Sequence, residues 1–118
     1  MCHILIIEDE PLVAMLLSDL LADEGATSFA YAATQSDAIA SALSHRPVLI
    51  TADVMLAQGT GPRAIEEIHK QLGQIPVIFI TGTPGECIPC DPPGKILCKP
   101  VVPSELATTF HEMVPAGT

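Results

Sequence analysis

Four short apolar runs of this sequence are each followed by a side chain that is able to do chemistry. In chain order, these side chains are Glu8 with Asp9, then Asp53, Thr81 and Lys99. The runs are too short for a membrane span, and their branched residues are typical of buried strands. Crowded carboxylates repel one another and raise one another's pKa values unless a cation lies among them. Carboxylate oxygens suit Mg²⁺, so these acids predict a magnesium site.

A metal, a nucleophilic carboxylate, a hydroxyl and a lysine at one edge of a sheet would form a phosphoryl-transfer site. Mg²⁺ and Lys99 would neutralise the phosphoryl oxygens, while Thr81 would donate a hydrogen bond to one of them. Taken alone, Asp53 also fits a plainer interpretation as an acidic helix cap, because Gly59, Gly61 and Pro62 indicate that a loop and a new helix follow. The positions of the other acids and of the lysine favour the site.

Apolar runs alternate with segments of helical periodicity, which predicts five strand–helix units. The predicted strands are His3–Ile7, Thr27–Tyr31, Val48–Ala52, Ile75–Ile80 and Lys95–Cys98. The predicted helices run from Pro11 to about Gly25, from a capping box at Thr34 and Asp37 to before Pro47, over Pro62–Leu72 and over Ser104–Met113. Leucines recur with helical spacing in the first helix, and the second is expected to bury Ala38, Ile39, Ala42 and Leu43.

This alternation predicts an α/β fold, a flavodoxin-like doubly wound parallel sheet with helices on both faces. The second strand is the least apolar and is placed at an edge, which gives the order 2-1-3-4-5. The first and third strands are then neighbours at the point where the strand order reverses. Glu8, Asp9 and Asp53 follow these two strands, so we expect the three carboxylates to converge on one crevice.

The composition indicates one globular domain, residues 1–118, with 48% hydrophobic and 16% charged residues. The net charge of −9 argues against nucleic-acid and anionic-membrane partners. No apolar run has the length of a membrane helix, and the first residues lack the pattern of a signal peptide. We therefore expect a cytoplasmic protein whose four cysteines are reduced thiols.

The sequence resembles the receiver domain of two-component response regulators along its whole length. The matching motifs are the acids of IIEDE, the aspartate of LITADVML, the threonine and glycine of FITG and the lysine–proline of LCKP. The resemblance implies that Asp53 is the phosphoacceptor. It further implies that Glu8, Asp9, Asp53 and the backbone carbonyl of Met55 bind Mg²⁺, and that Thr81 and Lys99 are the switch hydroxyl and the phosphoryl-binding lysine.

The resemblance also implies partners for this chain. A sensor histidine kinase or a histidine phosphotransfer protein would supply the phosphoryl group, and Mg²⁺-dependent self-hydrolysis would remove it slowly. The chain would then be a phosphoprotein of a phosphorelay and not an enzyme acting on a separate substrate. Because it stops soon after the last predicted helix, we expect a stand-alone receiver that signals to an unknown target by protein contacts. The alternative role is a phosphate shuttle or sink with no target of its own.

Three positions depart from the usual pattern of that family. Ala57 and Ile96 stand where many receivers have a proline and a swinging aromatic residue, respectively. The segment Thr81–Gly94, TGTPGECIPCDPPG, is so rich in proline and glycine that we expect a mobile loop or shortened helix between the last two strands. FITGTP resembles the altered motif of a receiver subgroup frequent in alphaproteobacteria. We expect phosphorylation to order this segment and the output face to combine it with the fifth strand and last helix.

Other function classes fit less well. Cys87 and Cys90 form a lone C-x-x-C pair, which is weak evidence for zinc or redox chemistry. A haloacid-dehalogenase-type phosphatase needs a second acid two residues after the nucleophile, where this chain has Met55. A flavodoxin-type phosphate loop would follow the first strand, where the acids lie. The four histidines share no spacing and are predicted to lie at the surface or at strand edges.

Overall fold

The computed structural model describes residues 2–82 and 94–114, which contain five strands and four helices. The strands are β1 (His3–Ile7), β2 (Ser28–Ala32), β3 (Leu49–Ala52), β4 (Val77–Thr81) and β5 (Gly94–Cys98). The helices are α1 (Pro11–Asp23), α2 (Gln35–Ser44), α3 (Gly61–Leu72) and α4 (Pro103–Met113). Within these two ranges of residues, no helix is long and apolar enough to cross a membrane.

The five strands form one parallel sheet in the order β2-β1-β3-β4-β5. The predicted fold class and strand order are confirmed, and the predicted strand bounds differ by at most two residues at either end. The prediction of a mobile or shortened helix between β4 and β5 concerns residues 83–93, which lie outside the described residues.

Side chains alternate across the sheet and so build two apolar layers. Leu5, Ile7 and Phe79 belong to one buried cluster, which also holds the inward residues of α2 and α3. Ile4 and Ile6 belong to the other, together with the inward residues of α1 and α4. The sheet is therefore covered on both faces, and the ends of its strands are left free of helices.

Local hydrogen bonds fix where two of the helices begin. The Thr34 hydroxyl accepts from the backbone N–H of Asp37 at 3.2 Å, which confirms the predicted cap of α2. The Thr60 hydroxyl accepts in the same way from Arg63 at 3.3 Å, at the start of α3. Thr60 follows the loop after β3, so this cap also anchors the chain that carries Asp53.

The helix faces correct the expectation about one leucine. Leu43 is 45% exposed, although we expected it to be buried, and Leu12 and Leu16 of α1 are exposed as well. The residues that face the sheet are Ala38 and Ala42 in α2 and Ala14, Leu17, Ser18 and Leu21 in α1. One stripe of a helix, with spacings of three and four, fits against a sheet, and leucines outside that stripe remain in water.

Candidate functional site

The register between β1 and β3 brings the first acids together. Ile7 is paired with Ala52, and the backbone N–H of Asp53 donates to the Ile7 carbonyl at 2.9 Å. On the opposite side of β1, the backbone N–H of Glu8 donates to the carbonyl of Ala32 in β2 at 2.9 Å. The side chains of Glu8 and Asp53 thus leave neighbouring strands at the same height, at the carboxyl edge of the sheet.

Lys99 reaches this point from the end of β5. Its ammonium donates to Glu8 Oε1 and to Asp53 Oδ2, both at 3.0 Å. Glu10 Oε1 lies 3.4 Å from the same Nζ atom. One lysine therefore contacts three carboxylates, which follow two separate strands. The order of the motifs predicted that Glu8, Asp53 and Lys99 meet at this edge of the sheet.

Burial controls the electrostatics of the cluster. Glu8 and Asp53 are only 6% and 8% exposed. Burial raises the pKa of Glu8 from 4.5 to about 7, and the neighbouring Asp53 carboxylate acts in the same direction, while the hydrogen bond from Lys99 opposes both. Burial alone would lower the pKa of Lys99, but its hydrogen bonds to Asp53 and Glu8 raise it above the ordinary value. The lysine is therefore charged at neutral pH.

Four carboxylates of the site lie close enough to share one cation. Glu8, Asp9, Glu10 and Asp53 each offer an oxygen, and these atoms all lie within 4.8 Å of one another. Two oxygens on opposite sides of Mg²⁺ are about 4.2 Å apart, since each Mg–O bond is about 2.1 Å. Hard oxygen donors at this spacing fit Mg²⁺, and Asp9 and Glu10 leave the cluster open to water, as that ion requires.

The other two predicted site residues lie beside this cluster. Thr81 is buried at the end of β4, and its carbonyl accepts from the Lys99 N–H at 2.9 Å, so the main chain joins it to the lysine. Met55 lies in the loop after β3, where its backbone forms an isolated antiparallel bridge with Thr60. Glu8, Asp9, Asp53 and Lys99 thus form one side-chain cluster, Thr81 is joined to it through the backbone, and Met55 follows Asp53 by two residues in the same loop.

The loop after β3 turns back tightly beneath Asp53. The N–H of Gly61 donates to the Val54 carbonyl at 3.0 Å. A Cβ atom at Gly61 would overlap the carbonyl oxygen of Asp53, so only glycine permits this approach. The loop therefore presents the Asp53 side chain at the edge of the sheet while α3 begins directly behind it.

Glu10 is a site residue that sequence reasoning did not assign. It occupies the N-cap position of α1, yet its side chain makes no cap hydrogen bond and lies against Lys99 instead. The sequence signal that could have indicated this role is that Glu10 is the third acid of the motif IIEDE.

Of the cysteines, Cys2 is a buried free thiol and Cys98 an exposed one. Cys87 and Cys90 lie outside the described residues.

Comparisons with known proteins agree with this geometry. A sequence model of the response regulator receiver domain matches residues 4–88. The chain belongs to the response regulator receiver family. The receiver is also 37% identical over 114 residues to the phyllosphere-induced regulator PhyR of Methylorubrum extorquens, an alignment that covers 93% of this chain and 42% of that protein.

A second curated relative is the response regulator Rre1 of Synechocystis, which is 30% identical over 120 residues, 94% of this chain and 51% of Rre1. The receiver thus spans about half or less of these two relatives. The solution structure of the PhyR receiver domain of Erythrobacter litoralis matches with a TM-score of 0.84 and 36% identity, over 95% of this chain and 88% of that chain. A PhyR mutant from Bartonella quintana, described as an anti-anti-sigma factor, matches with a TM-score of 0.79 and 30% identity, over 94% and 47% of the two chains.

Proposed function

We propose that this receiver accepts a phosphoryl group on Asp53 from a histidine kinase or a histidine phosphotransfer protein. The observation that carries the proposal is the contact of Lys99 with both Asp53 and Glu8 at 3.0 Å. Asp53 is the one acid of the cluster that follows β3, and it is buried at the point where the crevice opens. The lysine holds its carboxylate in place and supplies positive charge where a phosphoryl group would arrive.

The reaction is a group transfer without oxidation or reduction. An oxygen of the Asp53 carboxylate attacks phosphorus, a P–O bond forms, and the P–N bond of the donor phosphohistidine breaks. The imidazole leaves with the bonding electron pair and takes up a proton. The Lys99 ammonium stabilises the charge on the transferring oxygens, and the Thr81 hydroxyl donates to one of them once the acyl phosphate has formed.

Glu8, Asp9, Asp53 and the Met55 carbonyl are proposed to hold Mg²⁺, with Glu10 close enough to join them. The ion would neutralise part of the phosphoryl charge. The raised pKa of Glu8, about 7, supports this role, because a buried carboxylate beside another one is stabilised in its charged form by a cation. Slow hydrolysis by water at the same site would reset the protein, so we propose no separate substrate and no enzymatic turnover.

The experiment that tests the proposal is phosphoryl uptake from a small acyl phosphate in the presence of Mg²⁺, followed by mass spectrometry. We expect one added phosphoryl group on the wild type and none on Asp53→Asn. Asp19→Asn is the matched control, since Asp19 is an exposed aspartate of α1 away from the site. Undiminished labelling of Asp53→Asn, or none of the wild type, would overturn the assignment.

We propose that phosphorylation is read by a partner protein. The PhyR of Bartonella quintana is described as an anti-anti-sigma factor, which is a role exercised on proteins, and it supports a protein partner here. The test is a pull-down with beryllofluoride as the phosphoryl mimic. A partner retained with the mimic and lost with Asp53→Asn supports signalling, whereas a kinase or phosphotransfer protein as the only partner in both states favours the shuttle or sink role.

A further inference from the structure

The loop that carries Asp53 is fastened to the start of α2. The backbone N–H of Gln35 donates to the Gln58 carbonyl at 3.0 Å, next to a parallel bridge between Thr34 and Gln58. The Gln35 side chain then adds a bond of its own, because its Oε1 accepts from the backbone N–H of Thr60 at 3.2 Å. Gln35 alone is therefore bonded to both sides of the turn, to Gln58 by its backbone and to Thr60 by its side chain.

Gly59 makes room for this contact. It has a φ of +80°, a conformation that glycine adopts without strain. A Cβ atom at this position would lie within 3.0 Å of the Gln35 side chain, so a larger residue would push that side chain away from Thr60. Because Gly59 has no side chain, the Gln35 side chain packs against it and reaches the backbone N–H of Thr60 directly.

Thr60 transmits the contact to the proposed metal site. Its backbone pairs with Met55 in an antiparallel bridge across the turn. Met55, Ala57 and Gln58 are exposed, whereas Leu56 packs against the apolar core, so the tip of the turn at Ala57 and Gln58 has little apolar packing of its own. The position of this tip therefore depends on the few hydrogen bonds that close the turn, and the bond that Gln35 Oε1 accepts from the Thr60 N–H is one of them.

We propose that Gln35 is a positioning residue, which sets the place of the Met55 carbonyl and thereby the affinity of the site for Mg²⁺. This inference rests on the proposed function, in which that carbonyl is a ligand. Gln35 itself lies at the start of α2 and belongs to none of the strand ends that form the site. Groups that orient a metal ligand without touching the metal commonly change the metal affinity 10- to 100-fold.

The test compares two substitutions that differ in the acceptor atom. Gln35→Met keeps the length of the side chain and removes the acceptor, whereas Gln35→Glu keeps an oxygen for the Thr60 N–H. Gln71→Met is the matched control, because Gln71 is an exposed glutamine near the end of α3. The dissociation constant for Mg²⁺ is measured by calorimetry, and amide exchange of Thr60 reports directly on the hydrogen bond.

We expect Gln35→Met to bind Mg²⁺ about 10-fold more weakly and to exchange the Thr60 amide faster. Gln35→Glu and Gln71→Met should stay close to the wild type in both measurements. At saturating Mg²⁺, all variants should take up one phosphoryl group from a small acyl phosphate, which separates a positioning effect from misfolding. Thermal unfolding checks that Gln35→Met is folded at the temperature of the titration.

An unchanged dissociation constant for Gln35→Met would overturn the inference and leave the proposed function standing. An equal loss of affinity in Gln35→Glu would also overturn it, because that variant retains the acceptor. A wild type that binds no Mg²⁺ at all would overturn the metal-dependent function, and the inference would fall with it.

Discussion

The two ends of β1 both bury a polar side chain, but they do so by different means. At the amino end, His3 Nδ1 lies 2.8 Å from the Ser28 hydroxyl, and its ring stacks on His45 with centroids 3.7 Å apart. At the carboxyl end, Glu8 is held by the ammonium of Lys99. One end is thus stabilised by a hydroxyl and a second imidazole, the other by an opposite charge.

The two ends also differ in their electrostatics. Burial lowers the pKa of His3, and the neighbouring His45 lowers it further, so the amino end favours a neutral ring. His3 Nε2 is buried and has no hydrogen-bond partner among the described residues. The carboxyl end gathers charges of both signs, because Glu8, Asp53 and Lys99, which directly follow β1, β3 and β5, meet there. Phosphoryl transfer needs such charges in one buried cluster, whereas the charged pair of Lys95 and Glu112 described at the amino end of β5 is exposed.

The largest expected effect comes from removing the cation at the carboxyl end. Lys99→Met should slow phosphoryl uptake from a small acyl phosphate by about 100-fold, since a donor aimed at the developing charge is lost. Lys95→Met is the control at the other end of the same strand, where Lys95 forms only an exposed pair with Glu112. The rates are followed by mass spectrometry, and equal rates in the two variants would contradict the role of Lys99.

The second effect concerns the stability of the metal-free protein. Glu8 has a pKa of about 7 in the folded state, whereas its ordinary value is 4.5. Between pH 4.5 and 7, the folded protein therefore binds a proton at Glu8 that the unfolded chain has lost. Stability should therefore fall as the pH rises from 4.5 to 7, by on the order of 2 kcal/mol. Glu8→Gln cannot ionise and should lose this fall, whereas the exposed Glu66→Gln should keep it. If the free energy of unfolding, measured by denaturation, changes with pH in the same way for the wild type and for Glu8→Gln, Glu8 is not the group responsible.

The third effect links the same proton to the metal. Mg²⁺ binds the ionised carboxylate, so binding below about pH 7 must release the proton of Glu8. We expect the affinity for Mg²⁺ to fall by up to about 10-fold for each pH unit below 7. Calorimetry at several pH values measures this. A wild-type affinity that stays constant between pH 7 and 6 would argue against Glu8 as a ligand.

The smallest effect belongs to the amino end and has the opposite sign. His3 has a folded pKa below its ordinary 6.5, so its contribution to stability is complete above 6.5 and is lost as the pH falls below that value. His3→Phe keeps a ring against His45 and should lose less stability than the wild type between pH 6.5 and 5. Phosphoryl uptake should not change. A His3→Phe variant with altered uptake would mean that the two ends of β1 are coupled.

Much of the site could be predicted because it depends on order along the chain. Alternating strands and helices lead to a parallel sheet, and in such a sheet every strand ends at the same edge. The acids after β1 and β3 and the lysine after β5 therefore had to meet, and the contacts of Lys99 with Glu8 and Asp53 confirm it. The cap of α2 by Thr34 was predictable for a similar reason, since its partner lies three residues away.

Only the tertiary structure decided the contacts between segments that are distant in sequence. Three such contacts are the stack of His3 on His45, the approach of Glu10 to Lys99 and the hydrogen bond that Gln35 accepts from the Thr60 N–H. All three depend on how a helix or loop docks against the sheet. The histidines share no spacing and were predicted to lie at the surface or at strand edges; His3, the first residue of β1, is buried and not at the surface. Periodicity fixes which elements form, but the rotation and height of each element, which place Leu43 in water and Gln35 beside the loop, depend on packing of the whole chain.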